Sequence, residues 1–175
     1  DAGITPAHMA AMSGSADVLQ YLHKLAAFPP AAPRTNSVLH AAVKGNSRAA
    51  VEALAELLPA GGAQAFDADD NTPVQLAAKL GHHECLESMV GFGGPASIAV
   101  RHASGTAAPH DAAFHGHAAC INVLLAALPA TAGWCDDDGD TPFHAAAARG
   151  HEEVLAELLA AVEACGEDNA LLGVA

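Results

Sequence analysis

Residues 141–151 read Thr141-Pro142-Phe143-His144-Ala145-Ala146-Ala147-Ala148-Arg149-Gly150-His151, and residues 72–82 read Thr72-Pro73-Val74-Gln75-Leu76-Ala77-Ala78-Lys79-Leu80-Gly81-His82. A Thr followed by Pro marks a helix start. The hydroxyl caps free backbone amides, and Pro sits in the first turn, where no amide partner is needed. The Gly nine residues after the Thr marks the end, because it accepts the left-handed conformation that closes a helix. Three more segments stand in the same register: Thr5-Pro6-Ala7-His8, Ser37-Val38-Leu39-His40 and Ala107-Ala108-Pro109-His110. The five starts lie 32, 35, 35 and 34 residues apart, and nine residues after each stands Gly14, Asn46, Gly81, Gly116 or Gly150. A repeat therefore runs through the whole chain.

After each turn an apolar pair opens a second helix: Val18-Leu19, Ala50-Val51, Cys85-Leu86, Cys120-Ile121 and Val154-Leu155. One such helix pair cannot bury its own apolar face, so neighbouring units must stack. Loops rich in Asp, Gly and Pro join the units.

The motif Thr-Pro-Leu-His-x-Ala-Ala-x-x-Gly-His is almost intact at 72–82 and 141–151, and on these residues the chain resembles the ankyrin-repeat family. The resemblance implies an all-α solenoid of about five helix-turn-helix units with projecting hairpin-like fingers. The units fall at about 1–32, 33–66, 67–101, 102–135 and 136–175, in one domain over 1–175. Fingers are expected near 29–36, 61–71, 91–106 and 129–140, with the extra length of units 2 and 3 in a longer second helix (51–58) and a longer third finger. Unit 4 lacks the Thr-Pro pair, which makes its cap the weakest. The apolar run Ala170-Leu171-Leu172-Gly173-Val174-Ala175 and the start at Asp1 lead us to expect a piece of a longer chain.

Composition narrows the function. The 175 residues carry a net charge of −13 and are 51% hydrophobic, which excludes a disordered acidic tail. The seven Lys and Arg side chains are scattered, so neither nucleic acid nor an anionic membrane is an expected ligand. Residues 102–175 hold one basic and 11 acidic groups, a net of −10, so the stronger field belongs to the C-terminal half. Residues 112–135 contain no charged residue, but His115, His117, Asn122, Pro129 and Gly133 make a membrane span a poor reading. Cys85, Cys120, Cys135 and Cys165 form no CxxC pair, and an intracellular, reducing setting is expected.

The chemical motifs mostly dissolve on alignment. His8, His40, His110 and His144 share one repeat position and His82, His117 and His151 another, so these seven are structural. Cys120, in the run His115-x-His117-x-x-Cys120, falls at a core position of the second helix rather than in a metal site. In the run Asp136-Asp137-Asp138-Gly139-Asp140, an EF-hand register would put Trp134 first and Ala145 twelfth, neither a carboxylate. No catalytic signature is visible, and no metal or cofactor is expected.

What remains is a non-catalytic protein-interaction module, working through its fingers and first helices. The alternative is a regulatory segment of a larger enzyme, ion channel or ubiquitin-ligase adaptor. The positions free of the repeat's fixed residues are the candidate partner contacts: Arg34, Lys44, Asp69, Asn71, Lys79, Phe114, His115, Asp137, Asp138, Asp140 and Arg149. The −10 half leads to a partner that presents a basic segment. Phe114 and Trp134 are the apolar candidates beside the acidic finger.

Overall fold

The computed structural model describes residues 4–25, 37–58 and 65–164. The described helices are α1 (Pro6–Met12), α2 (Ala16–Lys24), α3 (Val38–Lys44), α4 (Arg48–Leu57), α5 (Pro73–Leu80), α6 (His83–Gly93), α7 (Pro95–Ile98), α8 (Ala108–His115), α9 (Ala118–Ala127), α10 (Pro142–Arg149) and α11 (Glu152–Ala164). Among the described residues there is no strand, only an isolated antiparallel bridge between Arg101 and Ala107.

Two layers result. The inner helices α1, α3, α5, α8 and α10 pack side by side in that order, and the outer helices α2, α4, α6, α9 and α11 do the same. The fold is an all-α solenoid. Its core is built from small residues. Ala7, Ala11, Ala42, Ala77, Ala78, Ala112, Ala113 and Ala146 are buried on the inner helices, and Leu19, Leu54, Leu86, Leu124 and Leu158 on the outer ones. Alanine at the helix contacts lets the backbones approach closely, while the leucines supply most of the apolar area removed from water.

Inner helices start as the sequence indicates. Ser37 Oγ accepts the amide of His40 and Thr72 Oγ1 that of Gln75, while Thr5 and Thr141 each place a hydroxyl beside the histidine three residues on. In unit 4 Ala107 has no hydroxyl to offer. Its own amide still donates to His110 Nδ1 at 3.2 Å, and α8 forms on that half of the box. Gly81, Gly116 and Gly150 close their helices with φ of 77°, 79° and 71°, and Asn46 takes the same turn at 48°.

Stacking also fixes the outer-helix cysteines. Ala50, Cys85, Cys120 and Val154 are fully buried, and the Cys85 and Cys120 thiols approach the preceding unit at Asn46 Oδ1 and Ala77 O. The matching residue of unit 1, Val18, is 46% exposed.

Two length assignments need correction. The extra residues of unit 3 do not lengthen its finger. Residues 91–93 end the eleven-residue α6, and Pro95–Ile98 form α7, with Ile98 buried and Ser97 Oγ donating to Gly94 O at 2.7 Å. The finger is only the reversal at 101–107. Residues 129–133 likewise form a 3-10 turn that buries Thr131 and Ala132, so the fourth finger begins after it. In unit 2, α4 is ten residues against nine in α2, which takes up one residue of the difference. Residues 59–64 of that link and the finger at 29–36 lie outside the described residues.

Candidate functional site

Three fingers share one backbone reversal. In each, the first residue's amide donates to the carbonyl four residues on: Asp67 to Asn71, His102 to Thr106, Asp136 to Asp140, at 2.8–2.9 Å. The fourth residue donates back to the first, and it is left-handed: Asp70, Gly105 and Gly139 have φ of 60°, 76° and 85°. Where the first residue is Asp, its carboxylate also organises the loop. Asp136 Oδ1 accepts the amides of Asp138 and Asp140 at 3.0 and 2.9 Å, and Asp67 Oδ1 those of Asp69 and Asn71 at 3.0 and 2.9 Å. These are Asx-type turns.

That geometry decides which acidic groups are available. Asp136 is spent inside its loop, whereas Asp137, Asp138 and Asp140 are exposed. The finger is held to its neighbour by Asp137 N donating to Ser104 O at 3.1 Å. Arg101 donates to Gly105 O and Cys135 O, both at 2.7 Å, and its guanidinium lies 5.2 Å from the centroid of the half-buried Trp134 ring. Trp134 packs against the core, so it anchors the finger.

The inner helices are riveted at both ends. His40 Nδ1 accepts the Ser37 amide and Nε2 donates 2.9 Å to Asn71 O. His110 repeats this with Ala107 N and Asp140 O. At the turn end His82 meets Val43 O, His117 meets Lys79 O and His151 meets Phe114 O, at 2.8, 3.1 and 3.1 Å. Burial pushes His40, His110 and His117 below the ordinary imidazole value, against the pull of their carbonyl acceptors.

Asn71 must be corrected as a surface candidate. It is 4% exposed, its side chain donates to Asp67 Oδ1, and its carbonyl takes the His40 bond, so it belongs to the scaffold. Arg34 lies outside the described residues. Lys44, Asp69, Lys79, Phe114, His115, Asp137, Asp138, Asp140 and Arg149 are exposed. Phe114 is 42% exposed, with the Arg149 guanidinium 3.9 Å from its ring centroid and the His115 ring edge-on at 5.2 Å.

Sequence reasoning missed His102. It occupies in its finger the hub place that Asp67 and Asp136 hold in theirs, and aligning the fingers rather than the helices would have exposed it. Its Nε2 lies 3.2 Å from Asp111 Oδ2, with both side chains mostly buried. The Asp111 hydrogen bond holds His102 above the usual imidazole range despite partial burial, with a further backbone contact to Asp70. Among the described residues no group of three or more His, Cys, Asp or Glu is arranged to hold a metal. No described helix is long and apolar enough to cross a membrane.

Residues 110–173 match the family model of ankyrin repeats, three copies. That stretch of the chain carries ankyrin repeats. The E3 ubiquitin-protein ligase KEG of Arabidopsis thaliana is 29% identical over 123 residues, which is 70% of this chain and 7% of the ligase. The chain thus spans a small part of that relative's length. Ankyrin repeats are protein-interaction modules.

Proposed function

We propose that this ankyrin segment is a non-catalytic module that binds a basic segment of another protein on its finger and inner-helix surface, at the C-terminal end. The carrying observation is that Asp137, Asp138 and Asp140 stand exposed on a braced finger, with the exposed ring of Phe114 at the other end of the inner helices, against Arg149. Exposed ion pairs contribute only ~0.5 kcal/mol each, so charge steers the encounter and the apolar contact sustains it. An intracellular setting belongs to the same reading, and the free, buried thiols of Cys85 and Cys120 support it.

A second reading is favoured by one observation, the similarity to a fragment of a ubiquitin ligase. In it the repeats are the partner-selecting segment of a larger enzyme. The same surface serves both readings, and the full-length sequence separates them.

The test is kinetic. Basic peptides selected from a random display library are measured against the wild type and the variant with Asp137, Asp138 and Asp140 all changed to Asn. The association rate should fall with rising salt and fall in the triple variant, while Phe114→Ala should mainly raise the dissociation rate. Equal association rates for the triple variant would reduce the acidic finger to a solubility feature.

A further inference from the structure

The basic residues of the inner helices are not scattered in space as they are in sequence. Lys44 and Lys79 stand seven residues after their unit's helix cap, and Arg149 eight after its own, so all three lie in the last turn of an inner helix. The exposed acidic residues Asp69, Asp137, Asp138 and Asp140 lie on the fingers, at the other end of the same helices. The surface therefore has an acidic edge and a cationic edge. In the last unit they are separated by the eight residues of α10, about 12 Å at 1.5 Å per residue.

Arg149 is the most developed point of the cationic edge. Its guanidinium stacks at 3.9 Å on Phe114 of the neighbouring unit. The Phe114 backbone is fixed by the His151 bond, and its ring is buttressed by His115. Stacking occupies the flat face of a guanidinium and leaves its N–H edge to a planar oxyanion. A group ordered in advance loses less freedom on binding a carboxylate in the two-bond fork that Arg favours. A favourable charge at a helix C-terminus would account for a Lys or Arg in the last turn, but it does not require contact with an aromatic ring of another unit. Leu80, at the place in unit 3 that Arg149 holds in unit 5, is 42% exposed and is a second exposed apolar side chain at the last turn of an inner helix.

Building on the reading above, we propose that the surface is charge-polar. It takes a segment of a partner protein that lays a basic group on the 136–140 finger and an Asp or Glu carboxylate on Arg149, about 12 Å away. A uniformly basic segment would meet Arg149 with like charge. A uniformly acidic one would be repelled by the net charge of −10 that residues 102–175 carry.

Three synthetic helical peptides test this by fluorescence anisotropy at fixed salt. One carries two Lys at one end and two Glu seven residues further on, with Leu between. The second has the same composition with the charges interleaved. The third has Lys in place of every Glu. The segregated peptide should bind at least tenfold tighter than its interleaved isomer. Arg149→Gln, an exposed change whose folding is checked by circular dichroism, should abolish that ratio and leave the all-Lys peptide bound as tightly or tighter. If the all-Lys peptide binds but the segregated one shows no advantage, or the ratio survives Arg149→Gln, Arg149 is only a helix-end charge and this inference falls alone. If none of the three binds at millimolar concentration, the basic-segment reading beneath it falls too.

Discussion

The side-chain amide of Gln75 donates to the carbonyl of Val100 at 3.1 Å, while its oxygen accepts the Thr72 amide at 2.8 Å. His40 makes the equivalent pair of bonds one unit earlier, to Asn71 O and Ser37 N. A neutral imidazole and a carboxamide each place a donor nitrogen and an acceptor atom side by side at the end of the side chain, so the exchange preserves the rivet. Gln75→His should therefore leave the urea midpoint nearly unchanged. Gln75→Leu keeps the volume but strands both backbone groups at a site where Gln75 is 1% exposed. Unpaired buried groups cost roughly 1–3 kcal/mol each, so this variant should lose about 2–6 kcal/mol in equilibrium unfolding.

The histidines give stability a pH dependence with two opposing signs. Burial lowers His40, His110 and His117 in the folded state. In the described geometry Nδ1 of His40 and of His110 already accepts a backbone amide, so protonating it would break that bond. Between the lowered folded value and the unfolded value near 6.5, the unfolded chain binds more protons. Stability from these three is full above the unfolded value and is lost as pH falls through the folded one. His102 is raised, by the Asp111 bond foremost, so its contribution is full below its unfolded value and is lost as pH rises through the folded one. Three groups outweigh one. The melting temperature should drop from pH 7.5 to 5.5, and it should drop more steeply in His102→Asn. A melting temperature that rises on acidification would contradict this assignment.

Thiol reactivity should separate the cysteines. Burial pushes the Cys85 thiol up to about 11 and the Cys120 thiol up to about 12, whereas Cys135 is exposed on the finger. The thiolate is the nucleophile. Brief native alkylation with iodoacetamide followed by peptide mass mapping should find Cys135 modified and Cys85 and Cys120 protected. Urea should release both together if the stack opens as one unit.

The helical layers were legible in the sequence because the units share the same physical signals: a Thr before Pro in units 1, 3 and 5, alanines at the close contacts, and a Gly or Asn at the left-handed turn. Even the unit-4 departure was readable as a weaker cap on a helix that still forms. Phase from Gly81 to Ala107 did not reveal where the surplus residues go. Gly91, Gly93, Gly94 and Pro95 look like loop punctuation, yet burial of Ile98 and the Ser97 bond to Gly94 turn Pro95–Ile98 into a helix. Surface candidates were legible as positions outside the fixed motif. That rule failed at Asn71, because a residue can vary with respect to the motif and still serve the finger's internal bonds. His102 escaped because its role is defined by contacts in space to Asp111 and Asp70 rather than by helix register.

The turn residues should be sharply unequal. A Cβ on Gly116 would enter the ring of His151, and the position is left-handed at 79°. Gly116→Ala thus adds backbone strain of roughly 1–3 kcal/mol to the displacement of the histidine that fastens α8 at Phe114 O. Asn46 already sits at 48° with a side chain, so Asn46→Gly should be neutral to within about 0.5 kcal/mol, relief of left-handed strain offsetting entropy gained by the unfolded chain. Thermal unfolding of the two variants side by side checks the contrast.

Within the acidic finger, one carboxylate is structural and its neighbours are not, which supplies the control the binding experiments need. Asp136 Oδ1 accepts the amides of both Asp138 and Asp140, and the loop it closes also gives His110 its acceptor, Asp140 O, at 3.2 Å. Asp136→Ala removes both bonds at once. At about 1 kcal/mol for each net hydrogen bond, it should cost roughly 1–2 kcal/mol and loosen amide-exchange protection at Asp138, Asp140 and the start of α10. Asp137→Asn with Asp138→Asn removes two exposed charges and keeps every described backbone bond of the finger. That pair should leave the urea midpoint unchanged or slightly raised, because a region of strong negative charge is relieved of self-repulsion. The two predictions are read together by native hydrogen exchange and urea unfolding. If Asp136→Ala is as silent as the double Asn variant, the finger is held by the Gly139 turn and the Ser104 contact alone, and its carboxylates form one equivalent surface cluster.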